Sequence, residues 1–207
     1  MKYLEWDSKF FNIPSYLFEN EKDLENLPKG FICAKIDINN QTLINKLIKN
    51  DFYFITVEVL LEYTGDLIKY CDKDIIEIKE NKNLPYEEIG SVFNYSRFHL
   101  DNNTKDKADL LWIEYLKNFK IDKKNRMYGI KHKGKIDGIF LIRENNLFFV
   151  GIKTQNKGLG TKLINFLKAK YNYLKAGTQL NNPALNFYLN NGFKILTNKV
   201  ILHRWNK

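Results

Sequence analysis

The sequence has few cysteines and lacks any arrangement of metal ligands. Its 207 residues include two cysteines, Cys33 and Cys71, which form neither a disulfide framework nor a zinc-type spacing. The three histidines, His99, His132 and His203, are isolated from one another, so no metal site is predicted. Two free thiols are typical of a reducing compartment, which favours a cytoplasmic protein.

Long apolar stretches are also missing. No apolar run approaches the roughly 20 residues of a membrane-spanning helix, and the N-terminal residues 1–7 lack the apolar core of a secretory signal. The chain is nevertheless 44% hydrophobic and 14% aromatic, which is ample for a buried core and excludes global disorder. We therefore expect a soluble, folded protein that does not enter a membrane.

Basic residues exceed acidic residues, with a formal net charge of +9. One interpretation is a lysine-rich solvated surface, and the other is attraction of polyanionic ligands such as a CoA phosphate or a nucleotide diphosphate. The lysines are scattered along the chain, without an arginine-rich stripe interleaved with aromatic residues. Nucleic acid is therefore not the expected partner.

The chain contains a degenerate internal repeat. Residues 34–61 and 176–202 both read as a strand, an Asn-Asn pair, a short helix, a turn that ends in Phe, and a long apolar strand. This pattern predicts two related halves, residues 1–72 and 73–207. A glycine-rich signature occurs only in the second half, so only that half is expected to hold a cofactor.

The second half alternates strand and helix patterns. Helices are predicted from Pro85 with Tyr86, Ile89 and Phe93 on one face, and over residues 105–119, 159–174 and 183–191. Strands are predicted over residues 127–131, 136–143, 147–152, 173–179 and 194–205, the first three joined by short turns. The predicted fold is a mixed α/β sheet with an antiparallel meander and crossover helices.

The glycine signature lies between a predicted strand and a predicted helix. It consists of Gln155, Asn156, Lys157, Gly158, Leu159, Gly160 and Thr161. Glycine lets a backbone approach an anion closely, and the first helix turn offers unpaired N–H groups, so the segment can bind a pyrophosphate. A dinucleotide fingerprint would need glycine in place of Leu163, and a P-loop would need lysine directly after Gly160. A turn without a ligand is the alternative interpretation.

A second motif follows the next predicted strand. Asn181 or Asn182 can cap a helix that has Pro183 in its first turn. Ala184 and Tyr188 are four residues apart and share a face of this helix. As a general acid, Tyr188 can give a proton to a departing thiolate; the alternative is an ordinary packed tyrosine.

Together the two motifs resemble the acyl-CoA site of the GNAT acyltransferase superfamily, and the strand order resembles that family over residues 127–207. The resemblance implies a GNAT fold preceded by a degenerate GNAT-like half, with acetyl-CoA or another short acyl-CoA as co-substrate. The loop amides of residues 155–161 would bind the pyrophosphate, with Asn181 near the cofactor. Val150 and Ile152 would lie on a splayed strand beside the thioester, and Tyr188 would protonate the thiolate.

Three further segments resemble the branch of that superfamily that N-acylates dTDP-linked amino-dideoxyhexoses, which includes dTDP-fucosamine acetyltransferases. They are residues 4–11 (Leu-Glu-Trp-Asp-Ser-Lys-Phe-Phe), 96–98 and 176–179. That branch usually has glycine after the double Phe, where this chain has Asn12. The resemblance implies a nucleotide-amino-sugar acceptor and an acyl group that is acetyl or a larger group such as 3-hydroxybutyryl.

Candidate acceptor-binding residues follow from this narrower resemblance. They are Ser96, Arg97, Phe98, Asp101 and Gln179. Arg97 could lie near a diphosphate and Phe98 under a pyrimidine ring; alternatively Arg97 is a surface cation at a helix end and Phe98 a core residue. Asp101 and Glu144 are the carboxylates considered as proton acceptors, and the sequence singles out neither.

The resemblance implies direct acyl transfer to a sugar amine, without a covalent enzyme intermediate and with oxyanion stabilisation by a backbone N–H near Ile152. An alternative GNAT enzyme would acetylate a peptide or protein amine or an aminoglycoside, and another alternative is a non-catalytic CoA-binding or scaffold protein. An enclosed pocket lined by aromatic residues and Arg97 would favour the nucleotide sugar, and an open groove a peptide. A homodimer is left open.

Overall fold

The computed structural model describes residues 1–206, which divide by packing into two compact units. The first unit comprises Met1–Val59 and the chain from Thr197 onward, and the second comprises Leu60–Leu196. This division differs from the one expected after residue 72. From Lys199 opposite Asp37 onward, the C-terminal strand pairs with a strand of the first unit, and this part of the chain belongs to that unit.

The strands in chain order are β1 (Lys2–Tyr3), β2 (Ser15–Leu17), β3 (Gly30–Asp37), β4 (Tyr53–Thr64), β5 (Ile75–Ile78), β6 (Asn125–His132), β7 (Lys135–Arg143), β8 (Asn146–Ile152), β9 (Tyr173–Gln179) and β10 (Lys194–Asn206). The α-helices are α1 (Glu5–Phe11), α2 (Gln41–Ile48), α3 (Tyr86–Gly90), α4 (Arg97–Leu100), α5 (Lys105–Lys117), α6 (Leu159–Lys168) and α7 (Ala184–Asn190). A 3-10 helix covers Glu21–Asn26. Within residues 1–206, each helix is too short or too polar to cross a membrane.

The first unit has the strand order β1-β2-β3-β10-β4. Strand β3 is parallel to β2 and antiparallel to β10. Helix α2 buries Ile44 and Leu47, which its helical spacing places on one face, in a core with Phe18, Phe52 and Leu202. Asn12 has φ of 54° and ends α1 in the left-handed conformation, which Asn tolerates better than most residues other than glycine.

The second unit has the strand order β4-β9-β8-β7-β6-β5. Strand β4 belongs to both units, because the boundary between Val59 and Leu60 falls within it. Strands β6, β7 and β8 form an antiparallel meander, and β9 is parallel to β8. The predicted mixed α/β fold with a meander and crossover helices is thus confirmed. Strand β5 is absent from the elements predicted from the sequence. It pairs with β6 and buries Ile75 and Ile78.

Two predicted helices are shorter in the structure. Helix α6 ends at Lys168 and not at residue 174, because the chain turns through residues 169–172 before β9 begins. Helix α3 ends at Gly90, so Phe93 lies beyond it, in a segment that continues to α4. The buried face predicted for helix α6 is present in the structure, since Leu163, Ile164 and Leu167 are buried along it.

The segments β3-α2-β4 and β9-α7-β10 share their local geometry. At the end of α2 the N–H of Phe52 donates to the carbonyl of Leu47 at 3.2 Å, and at the end of α7 the N–H of Phe193 donates to that of Tyr188 at 3.1 Å. The residue before each Phe has a positive φ, 63° and 79° respectively. The repeat seen in the sequence therefore has a structural counterpart, with Leu47 at the position that corresponds to Tyr188.

Candidate functional site

A cavity of about 850 Å³ lies within the second unit. It is lined by residues 91–95, 147–150, 152–156, 158–161, 177–178, 182–184 and 187–188. These come from the segment after α3, from β8 and β9, from the loop before α6, and from α7 with the turn that precedes it. The volume lies within the range of small-molecule and cofactor sites.

The cavity forms where two neighbouring parallel strands diverge. Among the described residues, β8 pairs with β9 only through Asn146 and Leu147, opposite Lys175 and Ala176. Both strands continue beyond this point. The backbone groups that β8 directs towards β9 after Leu147 therefore have no ladder partner there, and a ligand laid between the strands can satisfy them.

A β-bulge in β8 accompanies this divergence. Leu141 of β7 lies opposite Phe149, and the next residue, Ile142, lies opposite Leu147. Phe148 is therefore the extra residue on the bulged strand. Bulges increase the local twist and bend a strand, so Phe148 contributes to the separation of β8 from β9.

The loop between β8 and α6 has the backbone shape of an anion-binding turn. Asn156 and Gly158 have φ of 60° and 72°, and a Cβ at Gly158 would meet no atom within 4 Å. Helix α6 begins at Leu159. Its first-turn N–H groups, which lack partners within the helix, and the positive end of its dipole favour a bound anion.

Asp137 on β7 holds the start of this loop in place. Its carboxylate accepts hydrogen bonds from the backbone N–H and the hydroxyl of Thr154, each at 2.9 Å. The side-chain amide of Gln155 also donates to the carbonyl of Ile152 at 3.1 Å. The loop is thus organised by protein contacts before any ligand binds.

The nearby lysines contribute less charge to this loop than their number suggests. Lys162 lies 3.2 Å from Asp72 and 3.3 Å from Asp74, and the hydrogen bond to Asp72 is the main reason why the pKa of Lys162 is raised. Lys153 is paired with Glu88. Lys157 is exposed and does not line the cavity. The backbone amides are therefore the main feature of the loop that suits an anion.

Tyr188 lines the cavity from α7 and is only 6% exposed. Its ring packs edge-to-face against Phe187 and Phe193, with centroids 5.5 and 5.3 Å away. Burial raises the pKa of the phenol well above its ordinary value of about 10. The hydroxyl therefore stays protonated at physiological pH, which is the state that a proton donor requires.

Only one other polar side chain in the lining is as buried. Thr178 on β9 is 4% exposed, and the other polar side chains that line the cavity are more accessible. The described residues include no hydrogen-bond partner of its hydroxyl. The buried wall thus offers two hydroxyl groups, those of Tyr188 and Thr178, among apolar residues.

Most of the predicted cofactor-binding residues lie together in this cavity. Those that line it are Val150, Ile152, Gln155, Asn156, Gly158, Leu159, Gly160 and Thr161, together with the predicted proton donor Tyr188. Lys157 and Asn181 do not. The neighbouring Asn182 does, and its side-chain oxygen accepts the N–H of Ala184 at 2.9 Å.

The predicted acceptor residues lie elsewhere in the second unit, because they are used to fold the corner around α4. Ser96 is buried and its hydroxyl is 2.7 Å from Nδ1 of His99. The guanidinium of Arg97 lies over the ring of Phe98, 4.4 Å from its centroid, and Phe98 is buried. Asp101 is fully buried and accepts the N–H of Asn103 at 2.9 Å. None of these predicted residues lines the cavity.

The remaining candidates are also outside the lining. Gln179 ends β9, and its Oε1 is buried without a hydrogen-bond partner among residues 1–206. Glu144, considered as a base, is exposed in the turn before β8 and lies 2.9 Å from Lys124. Neither Glu144 nor Asp101 can therefore accept a proton directly from a group bound in the cavity.

Sequence reasoning missed several features of the lining. The segment 91–95, with Asn94 and Tyr95, forms one side of the cavity, but irregular backbone leaves no periodic pattern. Thr178 is the one threonine of the predicted strand 173–179, and nothing in its sequence context marks it as a cavity residue. Along β9 alternate residues are buried, and this alternation places Thr178 on the same face as Leu174 and Ala176.

Comparison with known proteins places this geometry in a recognised fold. No family model and no curated protein sequence matches the chain. A GCN5-related N-acetyltransferase from Sphaerobacter thermophilus superposes with a TM-score of 0.58 at 11% identity, over 84% of this chain and 59% of that one. A GCN5-related N-acetyltransferase from Kribbella flavida gives a TM-score of 0.54 at 13% identity, over 84% and 68%.

A conserved protein of unknown function from Staphylococcus epidermidis is also similar, with a TM-score of 0.58 and 14% identity over 86% of this chain and 73% of that one. The chain spans 59% of the length of the Sphaerobacter structure, which has further residues outside the match. At these identities the similarity concerns the fold. The chain has the fold of the GCN5-related N-acetyltransferases, the GNAT fold.

Proposed function

We propose that this chain is an acyl-CoA-dependent N-acyltransferase. The observation that supports this most directly is the shared cavity: the divergence of β8 from β9, the amides at the start of α6 and the phenol of Tyr188 all border it. Each feature alone has a structural explanation. Together they match what a thioester bound through a diphosphate requires, namely an anion site, a slot for an extended arm and a proton donor.

The proposed binding mode follows from these groups. The pyrophosphate of acyl-CoA contacts the amides of residues 156–161, and the pantetheine arm lies between β8 and β9. The unpaired backbone groups of β8 then hydrogen-bond the arm and, near Ile152, the oxygen of the thioester carbonyl.

The proposed chemistry is direct attack of an amine on the thioester carbonyl. The C–N bond forms, the C–S bond breaks, and Tyr188 gives its proton to the departing sulfur. Burial keeps this phenol protonated until that step. The protein forms no covalent intermediate in this step.

The acceptor that we propose is the amine of a dTDP-linked amino-dideoxyhexose, as the sequence resemblance suggests. The aromatic residues of the cavity wall, including Phe93, Tyr95 and Phe148, suit a substrate with a planar ring. The position of Arg97 outside the lining argues against its expected role at the diphosphate, so Lys153 and Asn94 replace it as the candidates for that contact.

The experiment is an activity matrix of acyl-CoAs against amines, read as release of free CoA thiol. The acyl donors are acetyl-CoA and 3-hydroxybutyryl-CoA. The acceptors are dTDP-linked 3-amino and 4-amino dideoxyhexoses, an aminoglycoside and a peptide. The proposal predicts transfer to a nucleotide amino sugar. Transfer to the peptide or the aminoglycoside alone would reject this acceptor, and absence of acyl-CoA binding would reject the enzyme.

A further inference from the structure

The cavity wall contains no side chain that can act as a strong base. Among the described residues that line it, none is Asp, Glu or His. The buried part of the wall offers the phenol of Tyr188 and the hydroxyl of Thr178, and both are neutral at physiological pH. An amine that enters as an ammonium ion would therefore find no group there to take its extra proton.

Three charged side chains near the cavity, Lys153, Asp137 and Lys162, are each held by other groups of the protein. Lys153 lines the cavity and forms an ion pair with Glu88. The Asp137 carboxylate is used by the N–H and hydroxyl of Thr154 and lies outside the lining. Lys162, in the second turn of α6, is held by Asp72 and Asp74. Tyr95 is the other titratable side chain of the lining, and a phenol is a poor base near pH 7.

From this lining we infer that the acceptor is a weakly basic amine that reacts as its neutral form, the class that includes ring-attached sugar amines and α-amino groups. The ε-amine of lysine falls outside this class. This inference rests on the proposed function and defines the substrate class of the same site.

The proton balance of the step explains why a neutral amine needs no external base. The nitrogen lone pair forms the C–N bond, the C–S bond breaks, and Tyr188 protonates the sulfur. The nitrogen then gives up one proton, directly or through water, which restores the phenol. A neutral amine therefore yields an amide and a thiol with no net proton release inside the cavity. An ammonium ion would release one additional proton, which a base would have to accept.

Amine basicity sets the size of the effect. At pH 7.5 an amine with a pKa of about 7.8 is about one-third neutral, whereas a lysine side chain with a pKa of about 10.4 is about 0.1% neutral. If the neutral form alone reacts, kcat/KM at this pH should favour the weakly basic amine by at least about 100-fold between acceptors that bind equally well.

The test is the pH dependence of kcat/KM for acceptors of different amine pKa. The probes are a hexose with its amine on a ring carbon, the same hexose with a more basic amine on its exocyclic carbon, and Nα-blocked lysine. Each amine pKa is measured by titration. We expect log(kcat/KM) to rise with pH with a slope of one and to level off at the pKa of the acceptor amine. The pH at which the profile bends should therefore change from one acceptor to the next.

A bend that stays at one pH for all acceptors would show an enzyme base and overturn the inference, as would preferential use of lysine at pH 7.5. The Glu88→Gln variant is the matched control, since Glu88 is the carboxylate paired next to the lining, and it should leave the bend unchanged. Binding of acetyl-CoA, followed by the rise in Tm, is measured separately. If acetyl-CoA does not bind, the proposed function fails and this inference fails with it.

Discussion

Gly160 in the first turn of α6 packs against the ring of Phe187 in α7, and a Cβ at Gly160 would lie 3.0 Å from Cζ of that ring. This contact joins the two motifs that the sequence presents separately. The glycine leaves room for the aromatic residue next to Tyr188 as well as for an anion at the helix start. The cofactor loop and the proton donor are thereby held in one arrangement.

Gly160→Ala should weaken acetyl-CoA binding by about tenfold, because the added methyl group displaces the Phe187 ring that lines the cavity. Alanine favours a helix by up to about 1 kcal/mol, so lost stability would not explain the change. Calorimetric titration gives the affinity. A double variant that also carries Phe187→Leu should regain part of the acetyl-CoA affinity. If the affinity losses of the two single substitutions simply add in the double variant, the contact between Gly160 and Phe187 would be contradicted.

The matched control for that variant is Gly134→Ala. Gly134 has φ of 80° in the turn between β6 and β7, and a Cβ there would meet no atom within 4 Å. The left-handed backbone should cost about 1 kcal/mol of unfolding free energy, with no change in acetyl-CoA affinity.

Tyr188→Phe should lower kcat by about 10²- to 10⁴-fold while acetyl-CoA still binds, because the variant loses the proton donor and keeps the ring packing. Tyr86→Phe is the matched control. Tyr86 is also 6% exposed, lies outside the cavity lining, and has a buried hydroxyl without a partner among the described residues. It should keep full activity. Equal effects of the two substitutions would remove Tyr188 from the mechanism.

The raised pKa of Tyr188 predicts how activity depends on pH on the alkaline side. Because burial favours the neutral phenol in the folded protein, the donor stays protonated above its ordinary pKa of about 10. By the same linkage, the stability that this phenol contributes is complete below about pH 10 and is lost as the pH rises through the folded pKa. Once the pH exceeds the pKa of the acceptor amine, activity should therefore stay level up to about pH 9.5, and a decrease that begins near pH 8 would contradict the assignment.

Thr178→Val should lower kcat/KM for the amine by about tenfold and leave acetyl-CoA affinity unchanged. The substitution keeps the shape of the side chain and removes the hydroxyl of a residue that lines the cavity, which we expect to bind the incoming amine. Thr56→Val is the control, since Thr56 of β4 is also 4% exposed and lies outside the lining. A matching loss in both variants would assign the effect to folding.

Asp137→Ala should reduce acetyl-CoA affinity by about tenfold, because it releases two hydrogen bonds, each worth about 1 kcal/mol, that hold Thr154 at the start of the loop. Asp122→Ala is the control, since it removes three hydrogen bonds, from the backbone N–H groups of Lys124 and Asn125 and from the side-chain amide of Asn125, in a turn outside the lining. Titration with acetyl-CoA should separate the two variants. An unchanged affinity in Asp137→Ala would show that the loop needs no anchor.

The fold of the second unit could be predicted because local patterns agree with tertiary packing. The short apolar runs of the meander, separated by turns, and the helical spacing of Leu163, Ile164 and Leu167 mark elements that the structure contains. Strand β5 could not be predicted, because four residues beside a charged stretch carry too short an alternation. The division into units depends on pairing between β10 and β3, which are distant in sequence.

The sequence predicts those parts of the site that require a particular backbone conformation, such as a positive φ or the start of a helix. Positive φ at Gly158 and a helix start leave a mark in the sequence, and so does the helix of Tyr188. The part of the cavity that would bind the acceptor includes residues 91–95. These residues have irregular backbone, and no sequence pattern indicates which of their side chains line the cavity. Ser96, Arg97 and Phe98 carry a motif, but their hydrogen bonds and ring contacts fold a corner around α4, away from the cavity.

The most direct test of the account is a crystal structure of the chain with acetyl-CoA bound. We expect the pyrophosphate on the amides of residues 156–161, the pantetheine arm between β8 and β9 beyond Leu147, and the thioester sulfur within hydrogen-bond distance of the Tyr188 hydroxyl. Acetyl-CoA bound elsewhere, or bound there with its sulfur far from Tyr188, would contradict the account.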